Sequence, residues 1–584
     1  MRLLIVESPT KSRKLREFLP ADIRIAASYG HVRDLPPSGD LAVSFRDGRV
    51  LPTYAPLEKA TRAIAELRSL AAQAEEILLA TDPDREGEAI AWHLTELIGP
   101  HRYQRAVFHA LTRTAVLDAL NHLRPVDQHL VDAQQARRVL DRVVGWVVSP
   151  TLRRLGKDAR SAGRVQSIAL RIVADREREI AAFTARDYFT LTATVQKPEA
   201  PPPFQAHLAE WKGEALGHRL AAADVAEKAV AWCRKQPFIV GACDRREQAR
   251  HPPPPFTTAT VQQAASVRLK LAPDQTMKLL QELFEGGHIT YHRTDSTALA
   301  PEAITEARMV ISARFSARYL PEKPVIHATK AANAQEAHEA IRPTHADKGP
   351  DAAGATPAGK LHALIWERFI ACQMASGRDE LTTIDVHCAP DAWQGGPMGI
   401  FRAKGKVVRF DGWRKLGGDA TDEAKPRGRG KAGKASGDDD EFTGQLPLLE
   451  VGQPLDLQNL AAVLKSTKPP PRYTQAALIK RLERDGIGRP STYAAILGTI
   501  LFRGYVVEKK RLLHASPLGL QVTDFLVRHY AGGFIELDYT ARLEGALDQV
   551  ARGERAWEPL VTAASRTVVT HAQNAGYRGD PLAG

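Results

Sequence analysis

Acidic side chains cluster directly after a short apolar run early in the chain. The segment "TDPDREGE" places Asp82, Asp84, Glu86 and Glu88 within seven residues, after the apolar residues 77–80. Carboxylates this close repel one another, and a hard divalent cation with oxygen ligands removes that repulsion. We therefore predict that Asp82, Asp84 and Glu86 bind Mg²⁺; the alternative is a helix start whose acids only complement the helix dipole.

A further carboxylate, Glu7, follows another apolar run, residues 3–6, and stands four residues before Lys11. In open parallel sheets, ligands bind at the carboxyl ends of the strands, where both acidic segments would meet. Glu7 is therefore predicted as a metal ligand, and Glu7 with Lys11 as catalytic groups that accept and deliver protons beside a phosphate. A plain surface ion pair is the alternative.

A single tyrosine stands among basic residues in "LFEGGHITYHRTDST". In an extended segment, side chains two apart share a face, so Tyr291 and Arg293 point the same way. A tyrosine with an ordinary pKa of about 10 is a poor nucleophile at neutral pH unless a cation stabilises the phenolate, and Arg293 is such a cation. The segment is predicted to be a strand, on which Tyr291 is either a nucleophile or a half-buried structural residue. Gln281 and Glu285 lie four apart on the helix predicted before it.

The hydrophobic pattern predicts the elements that hold these residues. Strands at 3–6 and 77–80 are each followed by a helix; the first begins near Thr10 and the second ends before Gly99. Strands that alternate with helices indicate a parallel α/β sheet.

The later parts of the chain alternate between predicted helix and predicted strand. Residues 112–182 favour helix, 184–250 favour strand, and the proline run 251–256 marks a boundary before a mostly helical stretch. The Gly-, Lys- and Asp-rich residues 423–441 have almost nothing to bury and are predicted to be disordered. Within them, 428–434 spell a P-loop that lacks its Ser or Thr, so no ATP site is predicted.

The composition favours a soluble protein with a polyanionic partner. The 584 residues carry a formal net charge of +12 and a sequence pI of about 9.4, and neutralising phosphates releases condensed counterions. No apolar run is long enough for a membrane span and no signal peptide is recognised, so a cytoplasmic location is expected. The four cysteines are too widely spaced for a disulfide framework or a zinc site.

Two motifs, "SAGRVQS" and "GIGRPSTYA", combine glycine, arginine and hydroxyl side chains at a predicted helix start. Free backbone N–H groups at such a start bind phosphate, and ordinary helix caps are the alternative. The candidate residues are Ser161, Gly163, Arg164, Arg489, Ser491 and Thr492. Pro490 is expected at the first helical position.

A helix in "AQQARRVLDRVVGW" carries further candidates. They are Arg137, Arg138, Asp141 and Trp146. Trp146 is either a base-stacking residue or a core residue. In "AHEAIRPT", His338 and Arg342 lie four apart on a helix that Pro343 would end, and His338 is a candidate phosphate contact.

Together these motifs resemble one family. "VESPTK" with "DPDREGEAIAWHL" is similar to the Toprim domain of type IA DNA topoisomerases, and the four motifs around Arg164, Tyr291, His338 and Arg489 follow in that family's order. Among subtypes the chain looks more like bacterial topoisomerase I than topoisomerase III. The resemblance implies a multi-domain fold with α/β, α and β parts: a toroidal clamp with an N-terminal Toprim domain.

The resemblance also implies a reaction. Tyr291 attacks a strand of negatively supercoiled DNA, forms a transient 5′-phosphotyrosyl link with Mg²⁺ as cofactor and without ATP, and the strand is resealed after another strand has passed. The expected substrate is a single-stranded segment of the duplex, and the expected protein is a nucleoid-associated monomer. The alternatives are a topoisomerase III-like decatenase, and a Toprim nuclease or DNA-binding clamp without religation.

The family's domain order divides the chain into six segments. They are a Toprim domain at 1–112, a first helical base segment at 113–185, a first arch segment at 186–250, a lid with the tyrosine at 251–378, a second arch segment at 379–455 with disordered residues 420–443, and a second helical base segment at 456–584.

The resemblance adds DNA contacts that the residue types alone do not indicate. These are His31, Arg153, Ala162, Val165, Gln166, Gln281, Glu285, Arg342 and Arg503. Two departures stand out: Ala110 occupies a position where a glutamate is expected, and no cysteine follows Cys388, so we expect none of the family's usual C-terminal zinc-binding repeats.

Overall fold

The computed structural model describes residues 1–159, 161–198, 200–215, 220–327, 339–417 and 444–582. Three predictions fall on other residues. His338, the predicted disordered residues 420–443 and the incomplete P-loop at 428–434 lie outside the described residues.

A four-stranded parallel sheet forms the N-terminal part. In spatial order its strands are Ile23–Ala27, Arg2–Val6, Glu76–Leu79 and Tyr103–Arg105. The two central strands are buried on both faces, which explains their unbroken apolar sequence. Helices Thr61–Ala71 and Arg85–Ile98 cover one face, and Pro9–Leu15 and Arg113–Asn121 cover the other. The predicted strands and helix ends are confirmed to within one residue.

Helices from both halves of the chain share the largest core. They are Gln128–Leu152, Arg164–Ala181, Gln475–Arg484, Tyr493–Phe502, Pro517–Tyr530, Leu537–Ala551 and Trp557–Asn574. The helical character predicted for 112–182 is therefore confirmed, and its helices pack against partners more than 300 residues later in the chain.

An antiparallel sheet forms the strand-rich part. In spatial order its strands are Glu214–Ala215, Ala200–Trp211, Gly399–Phe410, Gly377–Cys388, Phe238–Arg250, Pro454–Ser466 and Asp187–Lys197. A further pairing of Ala200–Trp211 with Asp187–Lys197 closes the sheet into a barrel, and helix Ala223–Cys233 packs on its core. The strand Pro454–Ser466 crosses the predicted boundary at 455, so the strand-rich part extends to Ser466.

The segment that carries Tyr291 is mostly helical, as predicted. Its helices are Thr258–Arg268, Pro273–Glu285, Pro301–Arg314 and Pro357–Cys372. Phe284 and Tyr291 share a core with Val6 and Leu78 of the N-terminal sheet. This shared core holds the tyrosine against the carboxyl ends of the central strands.

Short elements complete the described fold. The paired strands are Arg33–Asp34 with Ala55–Pro56, Val43–Arg46 with Arg49–Pro52, and Val506–Lys509 with Leu512–Ala515. The 3₁₀ turns are Glu58–Ala60, Arg153–Leu155, Ala317–Tyr319, Pro350–Ala353 and Gly412–Leu416. All four cysteines are free. Among the helices of the described ranges, none has the length and apolar character that crossing a membrane requires.

Candidate active site

The crevice at the carboxyl ends of the central strands brings Glu7, Lys11 and Asp82 together. Lys11 lies in the first turn of helix Pro9–Leu15, which Ser8 caps by accepting the Lys11 backbone N–H. The Lys11 side chain is 1% exposed; its Nζ donates to Asp82 Oδ1 and lies 4.0 Å from Glu7 Oε2. Burial opposes the charged form, but the charges of Asp82 and Glu7 raise the pKa of Lys11 above its ordinary value. Lys11 is therefore a protonated, buried acid at neutral pH.

Glu7 has weaker charge compensation than Asp82. Its Oε1 accepts the backbone N–H of Asp82 at 2.9 Å. Burial and then the charge of Asp82 raise the pKa of Glu7 to about 7, although Lys11 acts in the opposite direction. A carboxyl group that titrates near neutrality beside a protonated lysine can accept or deliver a proton.

Asp84 joins the sheet to the tyrosine. As the N-cap of helix Arg85–Ile98, it accepts the Gly87 N–H on Oδ1 at 2.9 Å, and it accepts the Tyr291 hydroxyl on Oδ2 at 2.7 Å. Arg293 Nη1 lies 3.8 Å from the same Oδ2. Tyr291 and Arg293 thus approach one carboxylate from the same side of their segment.

The Tyr291 phenol is a proton donor in this arrangement. It is 2% exposed, and burial followed by the charges of Asp84 and Asp82 raises its pKa well above the ordinary value. Arg293 lowers the pKa but does not outweigh these effects. The sequence argument considered only Arg293; the structure adds burial and the two carboxylates, which together disfavour the phenolate of Tyr291.

The prediction of a strand through Tyr291 is wrong. Instead of a continuous strand pairing, the described residues of this segment form one isolated β-bridge, between Ile289 and Pro343. The Tyr291 N–H instead donates to the carbonyl of His109 at 2.8 Å, in the loop after the last strand of the N-terminal sheet. Gly287 makes the preceding turn with φ +74°, and an added Cβ would lie 2.8 Å from the Leu111 carbonyl.

The helix that Pro343 was predicted to end is absent from its described residues, 339–342. Arg342 is extended, since a residue before proline is biased away from the helical region. Its backbone N–H donates to Thr290 Oγ1 at 3.0 Å, and its guanidinium binds Glu339 at 2.5 and 2.9 Å. Arg342 therefore supports the residue next to Tyr291 through its backbone.

Glu86 has partners different from those of the other carboxylates. His31 Nε2 contacts Glu86 Oε1, and Gln134 Nε2 donates to Glu86 Oε2 at 3.4 Å. Burial acts against ionisation, but these partners lower the pKa of Glu86 to about 2. Within the described ranges, no three His, Cys, Asp or Glu side chains converge as metal ligands. Asp82 Oδ1 is bound to the Lys11 ammonium, and Asp84 Oδ2 is bound to the Tyr291 hydroxyl.

Three predicted DNA contacts are ion-paired to carboxylates that the sequence did not indicate. Arg137 donates to Glu544 at 2.7 Å, Arg164 donates to Glu544 at 2.5 Å, and Arg489 donates to Asp548 at 2.5 Å. Arg164 also binds the predicted contact Asp141, at 3.1 Å.

The backbone N–H groups of "SAG" are used within the protein. The Ser161 N–H donates to the Tyr505 hydroxyl and the Ala162 N–H to Ser149 Oγ, each at 3.2 Å. The Ser161 N–H is therefore not free in this structure, and phosphate binding at this helix start stays a prediction. Gly163 is the N-cap of helix Arg164–Ala181, as the motif predicted. Three further predicted DNA contacts lie here. Val165 is buried, Gln166 packs on Gly163, and Arg503 donates to the Ser161 carbonyl at 3.2 Å.

The helix predicted to start at Pro490 begins three residues later, at Tyr493. Residues 489–492 form a turn instead, because Thr492 donates its N–H to the Arg489 carbonyl at 2.8 Å and accepts the Arg489 N–H on Oγ1 at 2.9 Å. Ser491 is exposed beside this turn. The turn aims the Arg489 side chain at Asp548.

The other predicted contacts lie at the surface or in simple pairs. Arg138 binds Asp34 at 2.8 and 3.0 Å, Arg153 is exposed, and Gln281 donates to Glu285 at 2.6 Å. Trp146 packs partly against the helical core, and the Arg142 guanidinium lies 4.8 Å from its ring centroid. Trp146 is therefore a partly buried residue at the edge of the core, and base stacking by its ring stays a prediction.

Arg85, Glu544 and Asp548 were missed by the sequence argument. Glu544 and Asp548 do have a sequence signal: they are four apart and fall among Leu543, Leu547 and Val550 on the apolar face of their helix. Charged residues on an apolar face are rarely buried unless paired, which marks them as partners of a cation.

Comparisons with known proteins agree on one family. A family model described as DNA topoisomerase matches residues 125–562, and a Toprim domain model matches residues 2–111. The solved structure of full-length topoisomerase I from Thermotoga maritima superposes with a TM-score of 0.81 at 31% identity, covering 97% of this chain and 90% of that one. The expected fold class is confirmed.

Curated relatives carry the name DNA topoisomerase 1. The Zymomonas mobilis protein is 39% identical over 96% of this chain, the Campylobacter jejuni protein 38% over 95%, and the Escherichia coli protein 38% over 96%. The chain spans 45%, 76% and 65% of the length of these relatives, respectively.

Proposed function

This chain belongs to the type IA DNA topoisomerase family, and from that premise we propose that it is an ATP-independent enzyme that cleaves one strand of negatively supercoiled DNA, passes a strand through the break and reseals it. The observation that carries the proposal is the 2.7 Å hydrogen bond from the Tyr291 hydroxyl to Asp84. It joins the segment predicted as the lid to the Toprim domain at the point where both supply chemistry.

In the proposed cleavage, the Tyr291 oxygen forms a bond to the phosphorus of a DNA phosphodiester, and the bond from phosphorus to the 3′ oxygen breaks. The phenol proton has an acceptor in place, Asp84 Oδ2. The leaving 3′ oxygen takes a proton from Lys11, which Glu7 can restore. Arg293 balances charge on the phosphate. Resealing reverses these steps, since the phosphotyrosyl bond retains a usable leaving group, and no ATP is needed.

The proposed cofactor is Mg²⁺, with Asp82, Asp84, Glu86 and Glu7 as the candidate ligands. The donor set fits, because all four side chains offer oxygen and Mg²⁺ is commonly held by one or two protein carboxylates together with water and substrate phosphate. When bound, the cation would stabilise charge on the phosphate. Without it, the carboxylates keep the pKa of Tyr291 high.

The proposed substrate is a single-stranded segment of duplex DNA. The net charge of +12 supports a polyanionic partner. Of the predicted contacts, Arg137 and Arg489 line one cavity with Asp84, and Arg164 shares Glu544 with Arg137. By analogy with the bacterial relatives, we infer action on cytoplasmic DNA and a monomeric protein.

A covalent-adduct assay tests the proposal. Wild type and Tyr291→Phe are incubated with end-labelled single-stranded DNA and Mg²⁺, then denatured and separated by electrophoresis. Labelled DNA that migrates with wild-type protein and not with Tyr291→Phe is the expected result. Tyr493→Phe is the matched control, because Tyr493 is also buried with a raised pKa but lies on the helix after "GRPST".

Other outcomes identify the alternatives. Strand cleavage that persists in Tyr291→Phe indicates a Toprim nuclease, and binding without cleavage by wild type indicates a DNA-binding clamp. Comparing the rates of plasmid relaxation and of decatenation of linked circles by wild type separates the main proposal from a topoisomerase III-like decatenase.

A further inference from the structure

Four arginines from separate parts of the chain converge on one turn of helix Leu537–Ala551. Glu544, 0% exposed, binds Arg137 and Arg164; Asp548, 2% exposed, binds Arg85 and Arg489. The carboxylates are four residues apart and so lie on one helix face. One helical turn thus positions arginines from helices Arg85–Ile98, Gln128–Leu152 and Arg164–Ala181 and from the turn at 489–492.

The cluster has an excess of positive charge. Although burial acts against ionisation, Arg137, Arg164 and Arg489 hold the pKa of Glu544 far below its usual range, so it is a carboxylate at all ordinary pH values. Four guanidinium groups therefore face three carboxylates, the buried Glu544 and Asp548 and the more exposed Asp141 that binds Arg164, and one positive charge is left in excess. Burying uncompensated charge is costly, which favours a further anion at this place.

Arg85 retains unused hydrogen-bonding capacity. It is 7% exposed, one of its nitrogens binds Asp548, and its Nε and Nη1 have no hydrogen-bond partner among the described residues. Guanidinium donors in a buried position normally find a partner. Arg85 is therefore an incompletely satisfied donor aimed away from Asp548.

A small cavity lies on the open side of these arginines. Its volume is about 50 Å³, and Arg85, Arg137, Arg293 and Arg489 line it together with the carboxylates of Asp84 and Glu86. That volume is roughly enough for a few water molecules or one phosphate group. The cavity therefore connects the arginine cluster to the carboxylate that holds Tyr291.

We propose that Glu544 and Asp548 are positioning residues: they hold Arg85, Arg137 and Arg489 so that the remaining N–H groups bind one phosphate of the single strand in this cavity. The inference rests on the proposed function, because it takes the phosphate from the DNA strand. Neither carboxylate contacts DNA. Each acts through the arginines, whose planar forks must be oriented before a phosphate can be bound in two places.

Asp379 offers a matched control elsewhere in the protein. It is 0% exposed and is likewise surrounded by cations, Arg250, Lys406 and Arg414, at 2.9, 3.2 and 2.7 Å. It belongs to the strand-rich sheet, on strand Gly377–Cys388. Neutralising Asp379 removes a buried carboxylate of the same kind without touching the cavity.

The test measures single-turnover formation of the Tyr291 adduct at saturating end-labelled single-stranded DNA, together with the Kd for that DNA. For Glu544→Gln we expect a cleavage rate lower by roughly 10-fold to 100-fold, since misplacing a binding group by about 1 Å can cost that much. The Kd is expected to stay equal or become tighter, because a negative charge has been removed near DNA. Glu544→Asp keeps the charge and loses reach, and an intermediate rate is expected. Asp379→Asn is expected to cleave at the wild-type rate.

Three results overturn the inference. These are a wild-type cleavage rate in folded Glu544→Gln, a Kd that weakens in proportion to the rate, and an equal loss of rate in Asp379→Asn. If Glu544→Gln does not fold, Asp548→Asn carries the same test, since Glu544 then still holds Arg137 and Arg164. Absence of adduct in wild type contradicts the proposed function; normal adduct in wild type and in both variants contradicts this inference alone.

Discussion

Two charged centres meet at the peptide bond between Asp84 and Arg85, and they are opposite in composition. The acidic centre has the carboxylates of Glu7, Asp82 and Asp84 against the cations of Lys11 and Arg293. The basic centre has four guanidinium groups against the carboxylates of Glu544, Asp548 and Asp141. The acidic centre has more carboxylates than cations, and the basic centre has more guanidinium groups than carboxylates. Asp84 and Arg293 of the first centre and Arg85, Arg137 and Arg489 of the second line one cavity. A cation bound at the acidic centre and a phosphate bound at the basic centre would balance the charge of both.

The comparison also bears on the proposed nucleophile. Burial first, and then the charges of Asp84 and Asp82, raise the pKa of Tyr291 and disfavour its phenolate. Neutralising the carboxylates lowers that pKa, because a nearby negative charge is what disfavours the phenolate. In the proposed mechanism, the reactivity of Tyr291 therefore depends on the charge of these carboxylates.

The largest expected effect is on activity. Replacing Asp82 and Asp84 together by Asn should lower relaxation of negatively supercoiled plasmid by about 10³-fold or more, since electrostatic groups in active sites contribute about 10² to 10³ each. A relaxation time course at several Mg²⁺ concentrations measures it. Asp22→Asn, which breaks an exposed pair with Arg2, is the control and should relax normally. Full activity of the double variant would remove the acidic centre from the mechanism.

A second effect concerns stability in the acidic centre. Lys11→Met leaves Asp82 buried without its cation, and such a loss costs about 3–5 kcal/mol. Urea denaturation of the full chain measures the free energy of unfolding. Lys14→Met, one turn further, breaks a surface pair with Glu17 and should cost about 0–1 kcal/mol. Equal losses of unfolding free energy in the two variants would show that the buried Lys11–Asp82 pair contributes no more than a surface pair.

The basic centre should tolerate the loss of a cation better. In Arg164→Met, Glu544 keeps Arg137, so the cost is mainly the lost charged hydrogen bonds, about 1.5–3 kcal/mol. The same urea experiment measures it, with the surface Arg178→Met on the same helix as control. If Arg164→Met is more destabilising than Lys11→Met, the two centres do not differ in the way described here.

The smallest expected effect is on binding alone. Arg153 is exposed, and Arg153→Gln should leave stability unchanged and reduce the slope of log Kd against log salt by about 0.7 for one lost phosphate contact to a single strand. Fluorescence anisotropy with labelled single-stranded DNA at several salt concentrations gives the slope. Arg62→Gln, on the exposed side of the Toprim helix Thr61–Ala71, should leave it unchanged. An unchanged slope in Arg153→Gln excludes this contact.

Local sequence was enough wherever one short segment carries the signal. The central strands are buried on both faces, so their unbroken apolar runs located them, and the polar residues that follow had to lie at the carboxyl ends. The pairing of Tyr291 with Arg293 on one side also follows from local geometry. The predicted strand through Tyr291 was wrong because a backbone partner distant in sequence, His109, binds this segment. The predicted helix start at Pro490 was wrong because a local turn between Arg489 and Thr492 precedes the helix.

The sequence by itself therefore determined the family motifs, the parallel sheet and the residues that can do chemistry, because each depends on neighbours within a few positions. Tertiary structure alone decided what those residues contact. It placed the Tyr291 hydroxyl on Asp84, 207 positions away, and Arg164 on Glu544, 380 positions away. Burial and electrostatic fields depend on all the surrounding elements at once, so the raised pKa of Tyr291 and the excess charge around Glu544 could be seen only in the folded chain.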